Sequence, residues 1–202
     1  MKIIRKANLQ KWRKHGDTKI IIAECGIKIE VQQFVNPSTA RQESFPVSMK
    51  NADCPVLDFS IFKKNEGITI CPLTKKGRLV LIRQYKQGVD DFVIEFPAGN
   101  IDGEDKAEAA RRELLEETGY CAEKIILLGK SHLMPRKSPS AEYAAVALGC
   151  RLIAPQRPDE SEGEIEVLEV TKKEFASLVR KGLITSAPTK LAAFMATVNN
   201  YI

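Results

Sequence analysis

The chain has little of what many enzyme sites are built from. It holds only two histidines, His15 and His132, and neither has a partner at metal-ligand spacing. A histidine-based zinc site or a serine triad would therefore be hard to assemble. The five cysteines, Cys25, Cys54, Cys71, Cys121 and Cys150, are odd in number and scattered. They form no disulfide framework or paired zinc or redox motif, so they are expected to be reduced, buried thiols. No apolar run approaches the ~18 residues of a membrane span, and charge interrupts the opening Met-Lys-Ile-Ile-Arg-Lys before a secretory leader can form. The expectation is a cytoplasmic protein with no membrane partner. A Walker-type loop is missing, because Gly129-Lys130-Ser131 lacks the earlier glycine of the phosphate cradle. A calcium loop is missing too, because Asp102-Gly-Glu-Asp lacks alternating acidic ligands and a terminal glutamate. There is no internal repeat and no low-complexity tract.

What is present suffices for one substantial core, with 202 residues of which 44% are hydrophobic. Basic residues exceed acidic ones by 31 to 26, partly through Lys2, Arg5, Lys6, Lys11, Arg13 and Lys14. Solvated terminal charge explains that cluster better than a nucleic-acid arm, so no nucleic-acid partner is expected. The positive balance would also draw an anionic substrate.

The most informative stretch runs from Asp102 to Gly119. Asp102 is expected to cap a helix with Asp105 as its reciprocal partner, and Gly119 to end it in a left-handed turn. The helix carries Glu113, Glu116 and Glu117 in its last turns, where the backbone dipole already presents about half a negative charge. At about 100° per residue these acids share one face, beside a stripe of Ala107, Ala110, Leu114 and Thr118 suited to packing on a sheet. Clustered oxygen ligands suit a hard divalent cation such as magnesium, with remaining positions left to water and substrate phosphate. A solvated acidic face is the plain alternative, since like charges at helical spacing cost only a few tenths of a kcal/mol.

The surroundings decide between the two. Glu95-Phe-Pro-Ala-Gly99 is followed by a short polar turn, Glu104, seven further residues, and Arg112-Glu-Leu-Leu-Glu-Glu-Thr-Gly-Tyr120. This resembles the signature of the Nudix hydrolases: glycine, five residues, Glu, seven residues, Arg-Glu, an aliphatic and any residue, Glu-Glu, any residue, glycine and a hydrophobic residue. Gly99 precedes Glu104 by four residues instead of five, which reads as a turn shortened by one; the Glu104 to Arg112 spacing is untouched.

The resemblance implies an α/β fold, an α/β/α sandwich around a mixed sheet, with a small N-terminal β segment. Residues 1–54 would form that segment and 55–202 the hydrolase domain. It implies Glu113, Glu116 and Glu117 as catalytic metal ligands, joined by the Ala98 carbonyl, with Mg2+ as cofactor or Mn2+ in its place. Arg112 is most simply a structural partner of Glu104 or Glu95 that aims the glutamates.

Outside the signature, Pro135 stands sixteen residues beyond Gly119, a spacing similar to that of the ADP-ribose pyrophosphatase branch. Arg83-Gln-Tyr-Lys86, Glu95 and the late segment Glu164–Glu169 look like the same branch, although Lys86 stands where arginine is common and loses its bidentate fork. The branch implies a catalytic glutamate after the proline. Glu142 is the nearest candidate, with Glu160, Glu162 and Glu164 as alternatives, and a surface position at a strand start as the plain reading of Glu142. Arg83, Lys86, Glu95 and Arg136 are the expected substrate contacts, with Lys137 beside Arg136. The expected substrate is a nucleoside diphosphate sugar, ADP-ribose first, with GDP-mannose or a non-catalytic nucleotide- or RNA-binding module as alternatives. The branch further implies a homodimer formed through the N-terminal segment, where Trp12, Phe34 and Phe45 would pack or stack on a base.

Secondary structure follows from periodicity and turn residues. Strands are expected at Lys19–Glu24, Ile27–Phe34, Val56–Phe62, Gly67–Leu73, Leu79–Gln84, Phe92–Phe96, Ile125–Leu128, Tyr143–Leu148 and Glu164–Val170. Helices are expected at Lys172–Lys181 and Thr189–Asn199, the second introduced by Pro188. Asn36–Pro55, rich in proline and asparagine, reads as a loop or crossover.

Overall fold

The computed structural model describes residues 1–5, 10–11, 13–22, 27–35, 42–51, 66–135, 140–158 and 163–202. Its main sheet runs β1 (Lys2–Arg5), β12 (Glu166–Val170), β6 (Leu79–Lys86), β5 (Glu66–Thr74), β11 (Ala141–Leu152) and β10 (Lys124–Ser131). Short strands β7 (Asp91–Glu95), β8 (Ala98–Asn100) and β9 (Tyr120–Cys121) pair with β6, β5 and β11. The β5–β11 pair is parallel and its neighbours antiparallel, so the sheet is mixed.

Side chains that alternate along the central strands build two cores, one per face. Ile68 and Ile70 of β5, Val80 of β6 and Ala145 and Ala147 of β11 meet Ala109, Ala110 and Leu114 of helix α1 (Lys106–Thr118). Cys71, Leu73, Leu79, Leu81, Ala144 and Val146 face the other way. They pack with Phe175 of α2 (Lys172–Arg180) and Ala192, Ala193 and Ala196 of α3 (Ala187–Val198). Small residues on α3 and on β11 let the layers approach closely. The result is the expected α/β/α sandwich. Among the described residues no helix is long and apolar enough to cross a membrane.

Helix α1 corrects one expectation. Its cap is Asp105, whose carboxylate accepts from the Ala107 and Glu108 N–H groups. Asp102 lies in the preceding turn at φ 30°, where with Gly103 at φ 82° it reverses the chain. Gly119 ends the helix in the left-handed region at φ 75°, as the sequence suggests. Ala107 is only partly buried, while Ala109 is fully so, because Ala109 and Ala110 sit with Glu113, Leu114 and Glu117 on the sheet-facing side. Helix α2 opens on a capping box between Thr171 and Glu174, and α3 on Ser186 with Pro188 in its first turn.

A separate antiparallel sheet orders β2 (Arg13–Ile22), β3 (Ile27–Val35) and β4 (Gln42–Asn51). Strand β4 falls where a loop or crossover was expected. Its Pro46 sits at a register shift opposite Val31, on an edge strand, the position in a sheet where a missing N–H is tolerated. Strand β1, for which no strand was expected, pairs antiparallel with β12. The strand expected at Val56–Phe62 lies outside the described residues, as do Trp12, Cys25 and Cys54. Cys71, Cys121 and Cys150 are free thiols; Cys71 and Cys150 are buried, and burial pushes Cys150 up to about 12 and Cys71 higher still.

Candidate active site

The loop after β7 turns through Pro97 into β8, and α1 lies against it. Glu113 and Glu117, one turn apart on α1, are buried on the side facing that strand. The Ala98 N–H donates to Glu117 Oε2 at 2.9 Å. A Cβ on Gly99 would lie 2.0 Å from Glu113 Oε1 and 2.1 Å from its Cδ, so only a bare Cα leaves room for this carboxylate. Two acids thus converge on the Ala98–Gly99 backbone. Glu116 is more exposed and lies beside them through Arg112.

Arg112 is the hub of the helix. Its Nε and Nη2 donate to Glu104 Oε1 at 2.9 and 2.6 Å, and Nη2 also reaches the Asn100 carbonyl at 2.9 Å. Its Nη1 donates to Glu113 Oε1 at 2.7 Å and Glu116 Oε2 at 3.1 Å. Burial works against the guanidinium charge, but the hydrogen bonds it donates to Glu104, Glu113 and Glu116 outweigh it and hold Arg112 above its ordinary range. The partner is Glu104; Glu95 instead accepts from Lys86 Nζ at 3.0 Å and Gln84 Nε2 at 3.3 Å.

A cleft of about 360 Å³ opens beside this turn, lined among others by Gly67, Thr69, Glu95, Ala98, Gly99 and Glu142. Glu142 lies in β11, beside Gly67 in the parallel register. It accepts from the Thr69 hydroxyl at 2.5 Å. Burial raises its pKa, Thr69 pulls it partly back, and nearby Glu95 raises it further. Glu95 and Glu142 are the carboxyl groups among the lining residues; Glu113, Glu116 and Glu117 are not, and Glu113 and Glu117 instead meet the Ala98–Gly99 turn that forms part of the cleft wall.

The other expected residues divide. Arg83 pairs with the buried Glu166 at 2.8 Å, directly across the β6–β12 register, and is not among the cleft-lining residues. Lys86 reaches the cleft only through Glu95. Glu164 does not line it. Arg136, Lys137, Glu160 and Glu162 lie outside the described residues. Thr69, Gly67, Leu133, Met134 and Pro188 line the cleft without having been singled out from sequence. Only Thr69 carried a signal there: a polar residue inside the apolar run of β5, fully buried in the fold.

The donor chemistry fits a hard divalent cation. Glu113 and Glu117 bring oxygen ligands to the Ala98–Gly99 backbone, and Gly99 leaves the carboxylate a cradle that any side chain would fill. Among the described residues no group of three or more His, Cys, Asp or Glu side chains is placed to hold a metal ion, and Glu113 and Glu116 both pair with Arg112 Nη1.

The comparisons with known proteins give the class to which this carboxylate-bearing helix and its turn belong: a hydrolase acting on diphosphate bonds. Residues 63–188 match the NUDIX domain, and the chain belongs to that family. Family members generally use divalent metal ions. An ADP-ribose pyrophosphatase of Bacillus subtilis (strain 168) is 26% identical over 133 residues, 65% of this chain and 72% of that protein. A GDP-mannose pyrophosphatase of Cronobacter sakazakii is 28% identical over 169 residues, 75% of this chain and 83% of that one. The crystal structure of an ADP compounds hydrolase aligns with a TM-score of 0.62 at 22% identity, covering 98% of this chain and 100% of its own, which establishes the likeness of fold. The likeness to the ADP-ribose pyrophosphatase branch rests on these relatives together.

Proposed function

We propose that the protein is a magnesium-dependent hydrolase that splits a nucleoside diphosphate sugar, with ADP-ribose yielding AMP and ribose 5-phosphate. The observation that carries this reading is the Ala98–Gly99 turn, which lines the same cleft as Glu142 and is met by Glu113 and Glu117 of α1. Glu113 and Glu117 rest on the Ala98–Gly99 turn, and Glu142 stands desolvated nearby. A diphosphate resists attack because its own charge repels a nucleophile. A divalent cation, when bound by Glu113, Glu116, Glu117 and the Ala98 carbonyl, would neutralise that charge and acidify an attacking water.

The chain's own groups then have separate tasks. Arg112 clamps Glu104, Glu113 and Glu116 and so fixes the aim of the helix. Glu142, raised by burial above the ordinary carboxylate range, is suited to take the proton of the attacking water. Glu95, held by Lys86 and Gln84 at the cleft wall, orients substrate, and Lys86 attracts its phosphates. On the same reading residues 55–202 are the catalytic unit and residues 1–54 a dimerisation arm. The protein then works in the cytosol as a homodimer.

A panel of ADP-ribose, GDP-mannose and diadenosine polyphosphates, assayed with and without magnesium, tests the reading. ADP-ribose should give equimolar AMP and ribose 5-phosphate only with the cation. The Cronobacter relative supports GDP-mannose as the second substrate, and faster turnover of that compound would move the assignment to it. No cleavage of any compound would leave a nucleotide-binding module.

A further inference from the structure

Strand β5 presents two residues to the cleft, Gly67 and Thr69, on the same side of the strand. Both meet one side chain, that of Glu142. The Thr69 hydroxyl, 1% exposed, donates to Glu142 Oε1 at 2.5 Å. A Cβ on Gly67 would lie 2.6 Å from Glu142 Oε2 and 3.4 Å from its Cδ. The backbone beneath is fixed, because Gly67 and Thr69 pair with Asn100 and Ala98 of β8 on one side and with Glu142 and Ala144 of β11 on the other. One carboxylate oxygen is thus bonded from β5 and the other lies over a bare Cα.

We propose that Thr69 and Gly67 are positioning residues: the hydroxyl of Thr69 ties down one oxygen of Glu142, and the missing side chain of Gly67 forms the slot that receives the other. The inference rests on the reading of Glu142 as the proton acceptor and adds what aims it. A free glutamate side chain samples several rotamers, whereas general-base chemistry needs its oxygen within hydrogen-bond reach of one water. The Thr69 hydroxyl also removes some rotamer freedom before substrate arrives. Its proton points at Oε1, leaving Oε2, over Gly67, as the oxygen that accepts.

The test uses the full chain with ADP-ribose and magnesium. Thr69→Val keeps the shape and removes the donor; it should lower kcat about ten-fold or more with KM changed less than about two-fold. Thr69→Ser keeps the donor and should recover kcat to within about three-fold of the parent. In a Glu142→Gln background, Thr69→Val should change kcat by less than about two-fold, since the two residues act as one unit. Gly67→Ala, should Thr69→Val fail to fold, is expected to reproduce the kcat loss by displacing the carboxylate. A parental kcat in both Thr69→Val and Gly67→Ala overturns the proposal, as does a Ser variant as slow as Val or an undiminished loss in the Gln background.

A second readout separates this inference from the functional reading. In cation-free protein, carbon NMR of the Glu142 carboxyl should show its titration moving to higher pH in Thr69→Val, because the hydrogen bond that favours the anion is gone. An unmoved titration overturns the positioning role whatever the activity. Absent turnover in the parent with a moved titration overturns only the hydrolase reading.

Discussion

Helix α1 and strand β11 hold their carboxyl groups by opposite means. On the α1 side, Arg112 places a guanidinium against Glu104, Glu113 and Glu116, and a backbone N–H caps Glu117. On the β11 side, Glu142 has a neutral hydroxyl, a bare glycine and a neighbouring acid, Glu95, and its pKa is raised by burial. The α1 acids present oxygen ligands suited to a cation, while a desolvated acid is suited to exchange a proton. On the proposed reading, one carboxylic chemistry is divided into two tasks by environment.

If the division is right, losing the α1 side should cost most. Glu117→Gln keeps the size of the side chain and its bond to the Ala98 N–H while removing a charge; kcat should fall on the order of 10³-fold, the scale on which electrostatic stabilisation is lost. Circular dichroism should show the fold unchanged.

The β11 side comes next. Glu142→Gln should lower kcat by about 10²-fold, the lower end of the usual contribution of a general base. The pH profile sharpens the comparison. Because burial raises the carboxyl above its ordinary 4.5, the base is protonated and idle below that raised value. The parent's kcat/KM should therefore climb with pH through a limb lying above 4.5, and the Gln variant should lack that limb. Stability moves the other way. A raised acid favours the folded state at pH below its unfolded value, and that contribution is lost as pH rises through the folded one. Thermal melts at neutral pH should thus find Glu142→Gln at least as stable as the parent.

Arg112→Lys should have the smallest effect. Lysine keeps the charge but cannot bond Glu104, Glu113, Glu116 and the Asn100 carbonyl together. Loss of such an orienting group costs about 10–100-fold in metal affinity or activity. A magnesium dependence of kcat shifted to higher concentration would show it.

Much of this was legible in the sequence, for physical reasons that differ by element. The glutamate spacing of α1, its Gly119 stop and the apolar runs of β5, β6 and β11 are local patterns, and the fold reproduces them. The pairing of Arg112 with Glu104 follows from two turns of chain next to each other. Long-range pairings were not readable. Arg83 was expected to contact substrate, but β12 sets Glu166 opposite it, and Thr69 gained meaning only when β11 laid Glu142 beside it. Strand β4 hid behind Pro46, whose cost vanishes at a sheet edge. Asp105 displaced Asp102 as the cap because the turn before α1 takes positive φ at Asp102 and Gly103.

The most direct measurement is isothermal calorimetry of magnesium into the parent protein and into Glu117→Gln, each with a non-hydrolysable ADP-ribose analogue present. The account predicts saturable uptake by the parent and weakened or lost uptake in the variant, with both proteins folded. Equal heats from the two, or none from either, would contradict it.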